Sequence, residues 1–242
     1  MKHEGPTPIA NVRIGDQVRS SLDNNDTSAI YSRVYCLAHK SDSVEMDYVQ
    51  LYFRKTVAPP LEISRDHLLL LDNSHGSQKS IPAGDVKEGT VLAGGQIVES
   101  VSTVQRRGAY APLTESGMLV TNGHVLASSY IQIVEPSGCY PVDGHELAHA
   151  VVGFRRLYCR WVMNCHVHET HDPEHGLAVW ILPVLTLSHQ IAQAPALVRF
   201  GMANFMFPLV INMGVIATTL LVMFAGSVVW ARRRGGGTKA HC

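Results

Sequence analysis

Ser64 and His67 stand three residues apart in Leu61-Glu62-Ile63-Ser64-Arg65-Asp66-His67-Leu68-Leu69-Leu70, between two apolar runs. A hydroxyl and an imidazole at that spacing suit acyl chemistry, because a positioned histidine can hand a proton to a leaving amide nitrogen. The flanking runs read as strands, and a strand-turn-strand presents both polar side chains at its turn. A capped turn without chemistry is the alternative, since serine hydroxyls readily bond nearby backbone.

Two further clusters carry ligand-type residues. Gly144-His145-Glu146-Leu147-Ala148-His149 contains H-E-x-x-H, which on a helix sets two imidazoles one turn apart, as in a zinc hydrolase. No third ligand follows at a familiar spacing, and a match this short arises easily by chance. Cys165-His166-Val167-His168-Glu169-Thr170-His171-Asp172-Pro173-Glu174-His175 has donors enough for zinc, but Pro173 and the uneven spacing point to a loop. No cofactor is expected from either cluster.

The elements that must position these residues are β-type. From Met1 to about Val134, short runs of Val, Ile, Leu and Tyr alternate with Gly, Pro, Asn and Asp, and no helical period is sustained. Strands are expected at 17–19, 30–37, 48–53, 68–71, 90–92, 96–101, 118–121 and 130–134. Asn11-Val12-Arg13-Ile14-Gly15-Asp16 is echoed by Asp85-Val86-Lys87-Glu88-Gly89-Thr90, each with an alanine upstream and a strand after, which suggests a duplicated unit with pseudo-twofold symmetry. Acidic and basic residues balance at 20 each, so nothing draws the chain to nucleic acid. Five cysteines without regular spacing indicate no disulfide framework.

Three motifs in order resemble a known family. The run Gly5-Pro6-Thr7-Pro8-Ile9-Ala10-Asn11-Val12-Arg13-Ile14-Gly15-Asp16-Gln17-Val18 resembles the first block of Hint domains, the self-processing modules of hedgehog C-terminal regions and inteins. Ser64 to His67 falls where that family has Thr-x-x-His. Gly108-Ala109-Tyr110-Ala111-Pro112-Leu113-Thr114 with Gly117, Leu119 and Val120, then Val125-Leu126-Ala127-Ser128-Ser129-Tyr130, is similar to hedgehog-type signatures. The resemblance implies an all-β, pseudo-twofold Hint fold over residues 1–135 and a sterol-recognition-like, His-rich extension over 136–200.

The same resemblance implies a chemistry and assigns residues to it. A cysteine at the start of the module attacks the preceding carbonyl, and a peptide bond becomes a thioester. His67 takes the place of the histidine that protonates the amide nitrogen, and Ser64 that of the threonine beside it. His39 stands where sterol-transferring hedgehogs carry an aspartate, with Asp42 three residues on; a surface turn histidine is the alternative. Ser129 replaces a cysteine of animal hedgehogs, which argues against thiol chemistry there. No cysteine precedes Cys36, so the nucleophile is expected upstream of Gly5, outside Met1–Gly5. Otherwise the module has lost self-cleavage and serves as a membrane-anchored interaction module.

Between Arg199 and Arg232 there is no charged residue. At about 1.5 Å per residue the run Phe205–Trp230 reaches about 39 Å, beyond the roughly 30 Å of bilayer hydrocarbon, so a helical extension ending in one transmembrane helix over 205–230 is expected. A basic tail, 231–242, begins with Arg232-Arg233-Arg234 and places the C-terminus in the cytosol by the positive-inside rule. The Hint-like part is then lumenal or extracellular, a tail-anchored protein with its bulk in the cytosol being the alternative, and the expected partner is membrane lipid, a sterol or another lipid alcohol.

Overall fold

The two echoing stretches fold alike. In the computed structural model of the chain, Ile9–Asn11 and Ala83–Asp85 each form one 3-10 turn, entered from a proline (Pro8, Pro82) and left through a valine (Val12, Val86). Gly15 and Gly89 follow at φ 99° and 84°, a region that side chains with a Cβ rarely adopt. The Gly15 amide then donates to the Val34 carbonyl at 2.8 Å, and the Gly89 amide to the Val98 carbonyl at 2.9 Å. Each turn feeds a strand, β1 (Gln17–Arg19) and β6 (Val91–Leu92).

The described residues are 5–22, 29–54, 58–72, 79–122, 124–133, 143–161 and 169–193. All lie in the first of two units, Met1–Gln193 and Ala194–Cys242. They are mostly strand, in two antiparallel sheets. The first runs β1, β2 (Tyr31–Phe53), β7 (Gln96–Thr114), β6, with β3 (Leu61–Ser64) also on β2. The second runs β5 (Ser80–Pro82), β4 (His67–Leu70), β9 (Val125–Ile131), β8 (Met118–Thr121). Leu51, Phe53, Leu61, Ile63, Leu69, Leu92, Val98 and Val125 from both sheets form the main core.

Two expected strands, 30–37 and 48–53, are parts of the single strand β2, and 96–101 is only the first third of β7. Between them the two strands run as a ribbon, Glu45 to Tyr48 opposite Arg107 to Val104, whose side chains are exposed or half-buried. With little apolar surface to bury, the ribbon carries no hydrophobic period to read. β9 starts at Val125, five residues before the expected strand, and ends at Ile131.

The extension is helical as expected: α1 (Gly144–Val151), α2 (Gly153–Trp161) and α3 (Leu182–Gln193). Asp143 caps α1, its carboxylate accepting from the His145 amide at 2.8 Å and from Ser80 N and Oγ at 2.6 and 2.8 Å, which ties the helix to β5. Cys159 is disulfide-bonded, a bridge that the irregular cysteine spacing does not signal. The span expected at Phe205–Trp230, the basic tail and Cys165–His168 lie outside the described residues. Among those described, no helix is long and apolar enough to cross a membrane.

Candidate functional site

Ser64 ends β3 and His67 begins β4, so the pair brackets the two-residue turn by which the chain leaves one sheet for the other. The turn is pinned at both peptides. Gly84 N–H donates to the Arg65 carbonyl at 2.8 Å and Gln132 N–H to the Asp66 carbonyl at 2.7 Å. The His67 ring is then fixed from β9: its Nε2–H donates to the Ser128 carbonyl at 2.8 Å. A carbonyl only accepts, so Nε2 carries the hydrogen and Nδ1 keeps the lone pair. Burial pushes the His67 pKa below the ordinary 6.5, and the bond to Ser128 offsets that in part. Near neutral pH the ring is therefore a neutral base that becomes a strong acid once protonated.

His67, Ser64, His39 and Ser129 all line one cavity of about 640 Å³. Its walls are chiefly apolar, with Ile63, Leu119 and Ile131 from the strands, Ile133 just after β9, and Val152 and Leu185 from the extension. Ser129 is 2% exposed, and its hydroxyl meets Thr114 Oγ1 at 3.0 Å and the Thr114 amide at 3.3 Å. That bonding makes Ser129 a clasp between β7 and β9. Thr114, fully buried, belongs to the site's frame and was visible only as the last residue of the Gly108–Thr114 motif.

His39 lies on β2 opposite Ala111 of β7. On its other side a strap of the extension, Glu169 to Ala178, covers the β2 edge. His39 bridges Leu177, Lys40 N–H donates to the Gly176 carbonyl at 2.8 Å, and Ala178 N–H to the Ala38 carbonyl at 2.9 Å. Two imidazoles fasten it reciprocally: His39 Nε2–H donates to the His175 carbonyl at 2.6 Å, and His171 Nε2–H to the Leu37 carbonyl at 2.8 Å. His39 again keeps Nδ1 as its free lone pair, and burial first, then the neighbouring His171 and His175, hold its pKa low against the His175 carbonyl bond. Asp42 is exposed outside the cavity lining and accepts from Tyr110 Oη. Of the two residues near the hedgehog aspartate position, His39 is the one at the cavity.

Cys36, the first cysteine of the chain, has no exposed surface. Its thiol donates to the Glu169 carboxylate at the root of the strap, and burial, then that carboxylate, raise its pKa far above the ordinary thiol range. A thiol held protonated in this way is not an acyl-transfer nucleophile.

The two histidines of H-E-x-x-H do share one face of α1, but they pack as a frame. Their rings stack at 5.9 Å between centroids. His145 Nδ1 lies 2.9 Å from Ser128 Oγ, while His149 Nδ1 accepts from Tyr130 Oη at 2.8 Å and from Arg156 Nη1 at 3.0 Å. Among the described residues no group of three His, Cys, Asp or Glu could hold a metal ion. Both rings therefore brace Ser128 and Tyr130 on β9, the strand whose carbonyl fixes His67.

The fold defines a mostly β module of two antiparallel sheets. The family model of the Hint module matches residues 1–181, about three quarters of the chain, and the chain belongs to the Hint family. No curated protein matches it.

Proposed function

We propose that this Hint module is of the hedgehog type and cleaves the peptide bond on the N-terminal side of a cysteine that opens the module, then passes the acyl group to a lipid alcohol. Cys36 is not that cysteine, since it is buried and held protonated. The thiol of that opening cysteine gives its proton to His67 Nδ1, its sulfur bonds to the preceding carbonyl carbon, the carbon–nitrogen bond breaks, and the departing nitrogen takes that proton from Nδ1. Ser64, across the turn, hydrogen-bonds the scissile amide. His39 Nδ1 then accepts the hydroxyl proton of the alcohol, whose oxygen attacks the thioester; the carbon–sulfur bond breaks and the thiolate takes the proton from His39. That Ser64, His67 and His39 all line one apolar-walled cavity supports the reading: apolar walls suit a sterol or similar alcohol, and an imidazole at a cavity can transfer a proton.

The uncharged run 205–230 and the arginines after it favour a single-pass protein with residues 1–135 and the extension lumenal or extracellular and the C-terminus cytosolic. The Cys159 disulfide supports that side of the membrane, since such bonds persist in oxidising compartments.

The test places a Gly-Cys dipeptide about a dozen residues upstream of Gly5, the spacing that the family resemblance implies, and follows the released N-terminal fragment on gels with and without added thiol. Cleavage is expected, lost in His67→Ala. Cleavage that survives His67→Ala sinks the role of His67, and an intact chain in every condition leaves a membrane-anchored interaction module as the better account.

A further inference from the structure

Helix α2 carries an apolar face that the fold does not use. Phe154, Leu157, Tyr158 and Trp161 recur at i, i+3, i+4 and i+7, the spacing of one helical face. They are 80%, 39%, 40% and 73% exposed. The opposite face does the packing: Cys159 is buried with Val152, Tyr35 and Ala148, and Arg156 turns inward to His149. Four large apolar side chains in a row on a nine-residue helix are far from the scattered exposure that a soluble surface shows.

We propose that this face of α2 lies on an anionic bilayer surface. Tyrosine, tryptophan and phenylalanine are the side chains that prefer the headgroup boundary. The charge of the helix fits the same occupant: it contains Arg155, Arg156 and Arg160 and no acidic residue, and Arg160 is exposed beside the stripe, where anionic headgroups would meet it. Arg155 stacks over the Tyr158 and Trp180 rings at 5.6 and 5.3 Å, which steadies the edge of the face. α2 follows directly on Val152, a wall residue of the cavity. A bilayer under the stripe therefore lies beside the cavity, so that a lipid alcohol moves from membrane to site along the protein surface. The inference rests on the membrane reading above for its occupant.

The experiment reconstitutes the full chain in vesicles of phosphatidylcholine and phosphatidylserine whose acyl chains carry bromine near the headgroup, and compares tryptophan emission of the wild type with Trp161→Phe. The difference reports Trp161. It is expected to be quenched severalfold relative to unbrominated vesicles, and to recover when Phe154 and Leu157 are both changed to Gln, which leaves the buried face of α2 intact. Emission from Trp161 that bromine does not change overturns the proposal; if it is also shielded from aqueous iodide, the face is covered by protein, a second copy or another segment of this chain. Trp230→Phe reports the span separately. Quenching of Trp230 without Trp161 removes the α2 proposal alone, and quenching of Trp161 without Trp230 removes the span alone.

Discussion

His149 makes the bracing of β9 measurable. Its Nδ1 accepts from Tyr130 and Arg156, so protonation there breaks both bonds and sets a positive charge beside a guanidinium. Burial, Arg156 and then His145 push its pKa from 6.5 down to about 4. The folded protein thus binds fewer protons than the unfolded chain below about 6.5, and stability falls as pH drops from there toward 4. At about 1.36 kcal/mol per pKa unit the full effect is roughly 3.4 kcal/mol. The ring is part-exposed, and solvent screening leaves about half, roughly 1–2 kcal/mol. His149→Asn keeps an acceptor for Tyr130 and Arg156 but takes up no proton. Urea unfolding of both proteins, at about pH 7 and about pH 5, should show the wild type losing about 1 kcal/mol more than the variant on acidification. His39, His67 and His145 also have lowered pKa values through burial, but they are common to both proteins and cancel. Equal losses would refute the claim that His149 is held neutral as part of the frame.

Two other substitutions test the same frame. Asp143→Ala removes a helix cap and two bonds to Ser80, and should cost about 2–4 kcal/mol in urea unfolding, with Asp143→Asn costing less because the cap is kept. Gly117→Ala sets a Cβ at 2.7 Å from His149 Nδ1 and 2.8 Å from a Tyr130 ring carbon, at a φ of 76°; a loss of about 1–3 kcal/mol is expected, seen as a lowered unfolding midpoint.

What the sequence disclosed and what it hid divide along physical lines. The echo at Asn11 and Asp85 was legible because Pro, Gly and a polar residue at fixed offsets define a turn locally. Ser64 and His67 were legible for the same reason, their turn being written in ten consecutive residues. The strap was not. Glu169 reaches Cys36, and His171 reaches Leu37, across more than 130 residues of chain, and no local pattern encodes such a meeting. The histidines of H-E-x-x-H were visible as a pair on one helix face, but their partners Ser128 and Tyr130 lie on a strand. The ribbon of β2 and β7 was hidden because it buries too little to leave an apolar rhythm.

The strap also orders events in time. β2 emerges from the ribosome early, yet the carbonyl that holds His39 belongs to His175 and the carboxylate that holds Cys36 belongs to Glu169. Domains fold as their chain is completed, from the N-terminus onward. The cavity wall at His39 thus waits for the strap, and Leu185, another wall residue, is made later still, so a nascent chain shorter than about Ala178 has the turn at His67 but an unfinished cavity. Length of synthesis itself orders the assembly of the cavity, the turn at His67 before the wall at His39.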